Sequence, residues 1–235
     1  MSNSVLLRRE ILLAGLLVPI GLAAQEEKGG HQGQEKPVGA VEDLMREHGI
    51  LRRILLVYAE VIAKLEAGAA DFDAGAIHRA ASLFRTFGED YHEKKLEEAF
   101  IFPAMRTNGT PQIVAMTQVL ARQHDRGRQI TDHILGATAS GKIKTGLEKP
   151  LAEQMHNLVR MYQNHAARED TILFPAWKKT LSQPKLDEMS DKFEGIEKQQ
   201  FGTDGFDDAS RKMVEIEEKL GLADLDHFTA SAPTL

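Results

Sequence analysis

"HAAREDTILFPAW", residues 165–177, repeats in outline the stretch "HEKKLEEAFIFPAM" at residues 92–105. Each stretch begins with a histidine, continues through acidic residues to apolar residues, and ends in Phe-Pro-Ala followed by a large apolar residue. Two copies of one histidine-and-glutamate pattern suggest two helices that present ligands to a common centre. Alternatively, two helices simply end in a similar way. The residues in the rest of the chain are needed to choose between these interpretations.

The spacing of apolar residues predicts four long helices between residues 38 and 181. Turn-forming runs such as "GAADFD", "TNGTPQ" and "GATASGKIKTG" separate them. β-Branched and polar residues never alternate for long, so strands are not expected. Four long helices with short connections predict an all-α, up-down-up-down four-helix bundle. The helices are expected at about residues 40–67, 74–105, 111–135 and 147–179.

The N-terminus has the features of an export signal. Arg8 and Arg9 precede an apolar run that ends in small residues, and the run is shorter than the roughly 20 residues of a membrane-spanning helix. The arginine pair also resembles a twin-arginine signal. An uncleaved membrane anchor is the alternative. We expect a periplasmic or secreted mature protein without stable membrane insertion.

Four segments are expected along the chain. Residues 1–24 form the signal peptide, and the polar, glycine-rich residues 25–38 form a linker that cannot bury a core. Residues 39–181 form the helical bundle. Residues 182–235 contain two shorter amphipathic segments, which we expect to form a helical extension outside the bundle.

Composition excludes several kinds of site. The chain has 235 residues, a formal net charge of -6 and no cysteine. The negative charge and the lack of a basic cluster argue against a nucleic-acid partner. Without cysteine there are no disulfides, iron–sulfur clusters or thiolate metal sites. A metal ion in this protein must be held by nitrogen and oxygen.

Four histidines on four predicted helices are expected at one level of the bundle. His48 and His92 lie about 20 residues before and after the first turn, and His124 and His165 flank the third loop at roughly 14 and 19 residues. At about 1.5 Å per residue, all four return to a similar height. Four buried imidazoles without a shared partner would be costly, and a metal ion supplies that partner. Glu169, four residues after His165, lies on the same helical face.

The other bundle histidines do not fit that level. His133 and His156 are each nine residues from a candidate ligand, which turns them to the opposite face of their helices. His78 lies 14 residues, or about 21 Å, along the helix from His92. We expect these three to be surface or core histidines.

The set of residues resembles the hemerythrin-like, HHE cation-binding family, whose bacterial members carry the pattern H…HxxxE…H…HxxxE. His48 in "REHGILRR", His124 in "ARQHDRGR", and His165 with Glu169 in "HAARED" match this pattern, and so do "IFP" and "LFP". The resemblance covers about residues 40–180. It implies a four-helix bundle that holds two iron ions.

The second position departs from the family pattern. His92 and Glu97 are five residues apart, which on a regular helix leaves their side chains about 140° apart. Glu97 and Glu169 nevertheless stand equally far before their prolines. A single π-bulge between His92 and Glu97 would restore the shared face, and such bulges favour functional sites. Alternatively, Glu93 takes the ligand role. We predict the bulge, and with it a metal site formed by His48, His92, Glu97, His124, His165 and Glu169.

Two further comparisons bear on function. Oxygen-carrying hemerythrins have a second histidine four residues on in the third helix, where this chain has Arg128. The missing imidazole argues against simple reversible oxygen carriage, while Asp170 stays open as an additional bridging ligand. A ferritin-like di-iron bundle needs Glu-x-x-His on two helices, which "EDYH" and "EQMH" supply. It also needs a glutamate on the third helix, which has none.

Imidazole and carboxylate donors suit iron, manganese or zinc, and iron is favoured by the resemblance alone. Bridging carboxylates would let two ions share the site and leave positions open for a small ligand. We favour a protein that binds or senses dioxygen, nitric oxide or peroxide. An enzyme that uses the same site, such as a peroxidase, is the alternative.

Overall fold

A computed structural model of the chain describes residues 38–68, 73–143 and 146–233. Within these ranges the chain forms only helices and connecting turns, so the predicted all-α class is confirmed. No described helix is both long enough and apolar enough to cross a membrane. The predicted signal peptide and nearly all of the predicted linker lie outside the described residues.

The helices follow the predicted limits within a few residues. The first long helix is α1 (Ala40–Glu66) and the third is α4 (Pro111–Thr138). The second and fourth are composite, each with a π-helical segment between two α-helical parts. The first composite helix consists of α2 (Ala74–Leu83), the first π-helical segment (Phe84–Ile101) and α3 (Phe102–Asn108). The second consists of α5 (Glu148–Arg168), the second π-helical segment (Glu169–Leu173) and α6 (Phe174–Lys179). The remaining elements are α7 (Gln183–Phe201), α8 (Gly205–Leu220) and a 3₁₀ turn (Leu225–Phe228).

Local sequence explains where two of these helices begin. The Thr110 side chain accepts a hydrogen bond from the amide of Ile113, and Pro111 occupies the first turn of α4, where its missing N–H costs nothing. The Asp73 side chain caps α2 in the same way by accepting from the amide of Gly75. Both residues are good caps because a side-chain oxygen satisfies an amide that has no partner inside the helix.

The four long helices pack around one apolar core. α1 packs against α5, α5 against α4, and α4 against α2 and the first π-helical segment, which returns to α1. The buried core runs along the whole of α1 and includes the large side chains of Tyr58, Phe84, Phe102, Phe174 and Trp177. Each long helix therefore turns one side toward a shared interior, where polar side chains are buried as well.

Each of the two π-helical segments overlaps one of the repeated stretches, and the first begins eight residues before its stretch. The amide of Phe102 donates to the carbonyl of Glu97, and the amide of Phe174 donates to the carbonyl of Glu169. Both hydrogen bonds join residues five apart, the mark of π-helical geometry. The π geometry expected between His92 and Glu97 is present, but it extends over 18 residues instead of one bulge. The second segment was not predicted, because its spacing of four fits an ordinary α-helix.

The C-terminal helices α7 and α8 pack against α1, α2 and the first π-helical segment. Phe193 of α7 stacks on Trp177 with ring centroids 5.9 Å apart. Arg53 of α1 forms an ion pair with Glu217 of α8, with a nitrogen–oxygen distance of 2.5 Å. The extension is thus helical and contributes to the apolar core.

A buried glutamate in α7 of this extension makes stability depend on pH. Glu197 is 7% exposed, and burial together with the nearby Glu47 carboxylate raises its pKa from 4.5 to about 7. The folded state therefore binds this proton more tightly than the unfolded state, so stability falls as pH rises from about 4.5 to about 7. We expect Glu197→Gln to raise the unfolding free energy at pH 8 by roughly 1–2 kcal/mol, after an allowance for solvent screening.

Urea unfolding at pH 5 and pH 8 measures this effect. The gain from Glu197→Gln should be much smaller at pH 5, where the native side chain is already mostly neutral. The same change at the exposed Glu215 of α8 is the matched control and should leave the pH dependence in place. An equal effect of Glu197→Gln at both pH values would contradict a buried, protonated Glu197.

Candidate metal centre

Six of the predicted site residues meet in the interior of the helices. The structure buries each of them to 3% exposure or less. They come from all four long helices: His48 from α1, His92 and Glu97 from the first π-helical segment, His124 from α4, His165 from α5 and Glu169 from the second π-helical segment. We call these residues the inner cluster.

The four imidazoles of the inner cluster form two pairs. The Nε2 atoms of His48 and His92 are 3.0 Å apart, and those of His124 and His165 are 3.1 Å apart. Each pair joins neighbouring helices, and in each pair the Nε2 atoms face the centre of the cluster. This arrangement points four nitrogen donors inward.

Glu97 and Glu169 each lie between the two imidazole pairs. Glu97 has one oxygen 3.4 Å from His92 Nε2 and the other 3.3 Å from His124 Nε2. The Oε2 atom of Glu169 lies 2.9 Å from His165 Nε2 and 3.6 Å from His48 Nε2. Both oxygens of both carboxylates are buried and have no hydrogen-bond partner of acceptable geometry among the described residues. Each carboxylate therefore faces one imidazole of each pair.

The π-helical segment explains how Glu97 reaches this position. In π-helical geometry, residues five apart lie close to one face, so the five-residue step from His92 to Glu97 keeps both side chains inside. Glu93, the alternative ligand, has other partners. It accepts hydrogen bonds from the Tyr162 hydroxyl at 2.6 Å and from Arg128 Nη1 at 3.2 Å.

A second ring of side chains holds the outer nitrogens of the four histidines. The Nδ1 atom of His92 lies 2.5 Å from a Glu47 oxygen, and the corresponding distance is 2.8 Å for His124 and Glu98. The remaining two pairs are His165 with Gln123, at 2.9 Å, and His48 with Asp170, at 2.7 Å. Each of these partners comes from the preceding long helix, and Asp170 of the fourth closes the ring onto the first. Such partners orient an imidazole and select the tautomer with a free Nε2. We call these four residues the outer ring.

Sequence reasoning missed most of the outer ring. Its members are the direct sequence neighbours of inner-cluster residues, in the doublets Glu47–His48, Glu97–Glu98, Gln123–His124 and Glu169–Asp170. Adjacent helical residues point about 100° apart, so one member of a doublet faces the centre while the other reaches the next helix. Asp170 was open as a bridging ligand, but the structure places its oxygens against His48 Nδ1 and Arg52.

The Phe-Pro-Ala ends of the two repeats also serve the cluster. Phe102 stacks on the imidazole of His124 at 5.3 Å between ring centroids, and Phe174 stacks on that of His48 at 5.4 Å. In each repeat the phenylalanine therefore packs against a histidine of another long helix. The two repeated stretches are equivalent parts of one site, which the second interpretation of the repeat, a shared way of ending a helix, does not explain.

Burial and neighbouring charges shift the pKa values of the inner-cluster side chains, some upward and some downward. Burial opposes charge on His92, yet Glu97 and Glu47 outweigh it and raise the pKa of His92 well above its ordinary value. The pKa of His165 is lowered well below its ordinary value by burial and by the nearby His124. Burial also acts against a charged Glu97, but His92 and His124 hold its pKa well below the ordinary range. Burial and the neighbouring Glu97 raise the pKa of Glu169.

The three histidines that were not predicted to be ligands lie outside the inner cluster. His133 and His156 are exposed, and the half-buried His78 forms a 3.0 Å hydrogen bond with Thr138. The ferritin-like alternative required Glu153 and His156 to face inward, but both are exposed. The structure therefore contradicts that alternative.

A glycine in α4 makes room for the Tyr162 side chain beside the cluster. A Cβ atom at Gly127 would lie 2.1 Å from the Tyr162 hydroxyl oxygen and 2.8 Å from two ring carbons. Tyr162 cannot retreat easily, because it is buried, hydrogen-bonded to Glu93 and packed edge-on against Phe84 at 5.0 Å. We expect Gly127→Ala to lower the unfolding free energy by about 1–3 kcal/mol, the usual cost of overpacking.

Gly136 in the same helix is the matched control. It is exposed, and an added Cβ there meets nothing within 4 Å. Gly136→Ala should raise the unfolding free energy by about 0.5–1 kcal/mol, because alanine loses less backbone freedom in a helix. Denaturant unfolding of both variants gives the comparison, and a stabilising Gly127→Ala would contradict the tight contact with Tyr162.

The inner cluster has the composition and arrangement of a cation site. Its residues form two groups, and within each group the donor atoms all lie within 4.8 Å of one another. One group is His48, His92 and Glu97, and the other is Glu97, His124, His165 and Glu169. Four buried carboxylate oxygens without hydrogen bonds are costly unless a cation binds them. The residues present therefore fit a metal ion bound by nitrogen and oxygen.

Fold and site together define an all-α protein with a histidine-and-glutamate cation site in its core. The sequence matches the family model described as hemerythrin HHE cation binding domain over residues 39–177. The chain belongs to this family, which confirms the resemblance seen in its motifs.

Similar proteins are found in mycobacteria. An uncharacterised protein of Mycobacterium bovis and uncharacterised proteins from two strains of Mycobacterium tuberculosis are each 43% identical to this chain over 199 residues. The matched region is 84% of this chain and 76% of each relative. No solved structure matches the chain significantly.

Proposed function

We propose that this protein holds two iron ions in the inner cluster and binds a small ligand there, such as dioxygen, nitric oxide or peroxide. The positions of Glu97 and Glu169 carry the proposal. Each carboxylate faces one imidazole of each pair, at 2.9–3.6 Å, which supports a role for both as bridges between two ions. One ion would be held by His48 and His92, and the other by His124 and His165.

We further propose that the four long helices form the up-down-up-down bundle expected from the sequence. Consecutive long helices are joined by short connections and pack as neighbours around the inner cluster. Antiparallel neighbours with short loops are typical of such bundles, and metal sites in them are built from side chains on facing helices.

A small cavity beside the inner cluster supports a small ligand. Its volume is about 10 Å³, which is near the space that one water molecule needs. Leu51, Leu55, Tyr162 and Ala166 line it, together with the inner-cluster residues His48, His92, Glu97 and His165. A diatomic molecule or peroxide is close to this size, whereas a larger substrate would require the helices to move.

The residues around the cavity would control what happens to the ligand. Bound iron would supply open coordination positions and change of oxidation state. Leu51 and Leu55 would exclude bulk water, and the outer ring would keep the four imidazoles oriented with Nε2 toward the ions. Arg52 also lines the cavity, and its charge is balanced there by the ion pair with Asp170.

An enzyme such as a peroxidase is the second candidate, and Arg128 favours it. This residue stands where oxygen carriers of the family have a fifth histidine, and it binds Glu93 and Glu98 instead. One imidazole fewer leaves one more coordination position open for reaction. Turnover of peroxide with an added electron donor would separate an enzyme from a binding protein.

Metal analysis with ultraviolet–visible spectroscopy tests the main proposal. Protein loaded anaerobically with Fe(II) and desalted should contain two iron ions per chain. Its spectrum should change on exposure to dioxygen, nitric oxide or peroxide. A content of one ion or none would refute the two-ion site, and zinc or manganese in their place would refute iron.

We also propose that the mature protein is exported. The proposal depends on the sequence alone, namely Arg8 and Arg9 ahead of a short apolar run. If the route is the twin-arginine pathway, replacing both arginines by lysine should leave precursor inside the cell, as measured by fractionation. Unchanged export of the double variant would favour a general secretory signal.

A further inference from the structure

The two imidazole pairs face the same two inner carboxylates but have different outer partners. In the inner cluster, one histidine of each pair faces Glu97 and the other faces Glu169. In the outer ring, three partners are carboxylates and one, Gln123, is an uncharged amide. The two pairs therefore differ in the charge of the side chains that hold their outer nitrogens.

The pair formed by His48 and His92 has two carboxylate partners. Glu47, which holds His92, is 1% exposed and also accepts a hydrogen bond from the Tyr91 hydroxyl at 2.8 Å. Asp170, which holds His48, is also paired with Arg52, so part of its charge is neutralised. Glu47 is thus a buried carboxylate whose charge acts on its imidazole with little screening.

The pair formed by His124 and His165 has weaker partners. Glu98, which holds His124, has a side chain 31% exposed and lies 3.0 Å from Arg128, so solvent and a cation both screen it. Gln123, which holds His165, accepts the Nδ1 hydrogen bond without a negative charge. An amide orients the imidazole as well as a carboxylate does, but it does not raise the basicity of the imidazole in the same way.

We propose that the metal position at His48 and His92 binds its ion more tightly than the position at His124 and His165, and that Gln123 is the residue that sets this difference. The inference rests on the proposed two-ion function. A carboxylate on the outer nitrogen strengthens the imidazole as a donor, and loss of such a partner typically costs 10–100-fold in metal affinity.

One feature of the inner cluster opposes this order. The donor atoms of His124, His165, Glu97 and Glu169 all lie within 4.8 Å of one another, whereas the group around His48 and His92 contains only Glu97 as a carboxylate. If closeness of the inner donors determined affinity, the position at His124 and His165 would fill first. The two physical effects therefore predict that a change at Gln123 acts on different binding steps: the second step if the outer partners set the order, and the first step if the inner donors do.

Anaerobic titration of the metal-free protein with Fe(II) tests the inference. Wild-type protein should bind two ions in two steps of different affinity. Gln123→Glu should strengthen the second, weaker step by about tenfold and leave the first unchanged. Gln123 is half-buried at the helix surface, so a carboxylate can replace its amide without a change of shape.

Matched variants separate the local effect from a general change of charge. Gln118→Glu makes the same change at an exposed position of α4 and should alter neither step. Glu47→Gln removes the buried carboxylate from His92 and should weaken the first step by about 10–100-fold. Glu66→Gln, at an exposed position of α1, is its control. Circular dichroism of each variant checks that the helices are retained.

The possible outcomes distinguish this inference from the proposed function. Binding of fewer than two ions by the wild-type protein would refute the proposed function. Two ions bound with Gln123→Glu acting on the first step, or on neither step, would overturn the inference and leave the proposed function intact. A weaker second step in Glu47→Gln would overturn it independently.

Discussion

Glu97→Ala is expected to lose at least one of the two proposed iron ions, whereas Glu93→Ala should keep both. Glu97 has one oxygen toward each imidazole pair, so its removal takes a donor from both metal positions. Glu93, the alternative ligand in the same segment, is held away from this position by hydrogen bonds from Tyr162 and Arg128. Metal analysis of the purified variants after anaerobic loading with Fe(II) gives the result.

Glu93→Ala is the matched control for this prediction. The two glutamates are both buried in the first π-helical segment, so truncation leaves a similar cavity in each case. Glu93→Ala leaves the Tyr162 hydroxyl without its acceptor, which should lower the unfolding free energy by about 1–3 kcal/mol. Iron lost from Glu93→Ala but retained in Glu97→Ala would reverse the assignment of the ligand.

Removal of the metal is expected to have the largest effect on stability. Without a cation, four carboxylate oxygens of the inner cluster are buried without hydrogen bonds. An ion present at a thousand times its dissociation constant stabilises the folded state by about 4 kcal/mol, so two such ions contribute roughly 8 kcal/mol. This is comparable to the whole unfolding free energy of a typical domain, which is about 5–15 kcal/mol.

Denaturant unfolding with and without metal measures this difference. Protein treated with a chelator should unfold at a much lower denaturant concentration, and Fe(II) added under anaerobic conditions should restore the midpoint. Mg²⁺ is the control ion, because it prefers oxygen ligands and binds poorly to imidazole, so it should have little effect. Identical unfolding curves for the chelated and the loaded protein would mean that the cluster holds no tightly bound cation.

The helices and the level of the histidines could be predicted because they depend on local regularities. A helix repeats every 3.6 residues and rises about 1.5 Å per residue, so sequence distance converts directly into height and direction. This conversion brought His48, His124 and His165 to one level and turned His133 and His156 outward. The caps at Asp73 and Thr110 are equally local, since each involves only the next few residues.

The step from His92 to Glu97 could be predicted only in part. The five-residue spacing, set beside the four-residue spacing of the other repeat, indicated that the helix departs from α geometry. The length of the π-helical segment, Phe84–Ile101, and the second segment at Glu169–Leu173 carry no such mark in the sequence. Their extent depends on packing against neighbouring helices, which can favour the wider turn at many successive residues.

The sequence by itself determined which side chains share a face and a height, and so which ones form the inner cluster. Only the tertiary structure decided what holds their outer nitrogens. Glu47, Glu98, Gln123 and Asp170 each reach a histidine on the next helix, across a distance set by how far apart and at what rotation the helices pack. Helical periodicity places residues along and around one helix axis, whereas a contact between two axes depends on the packing of every side chain between them.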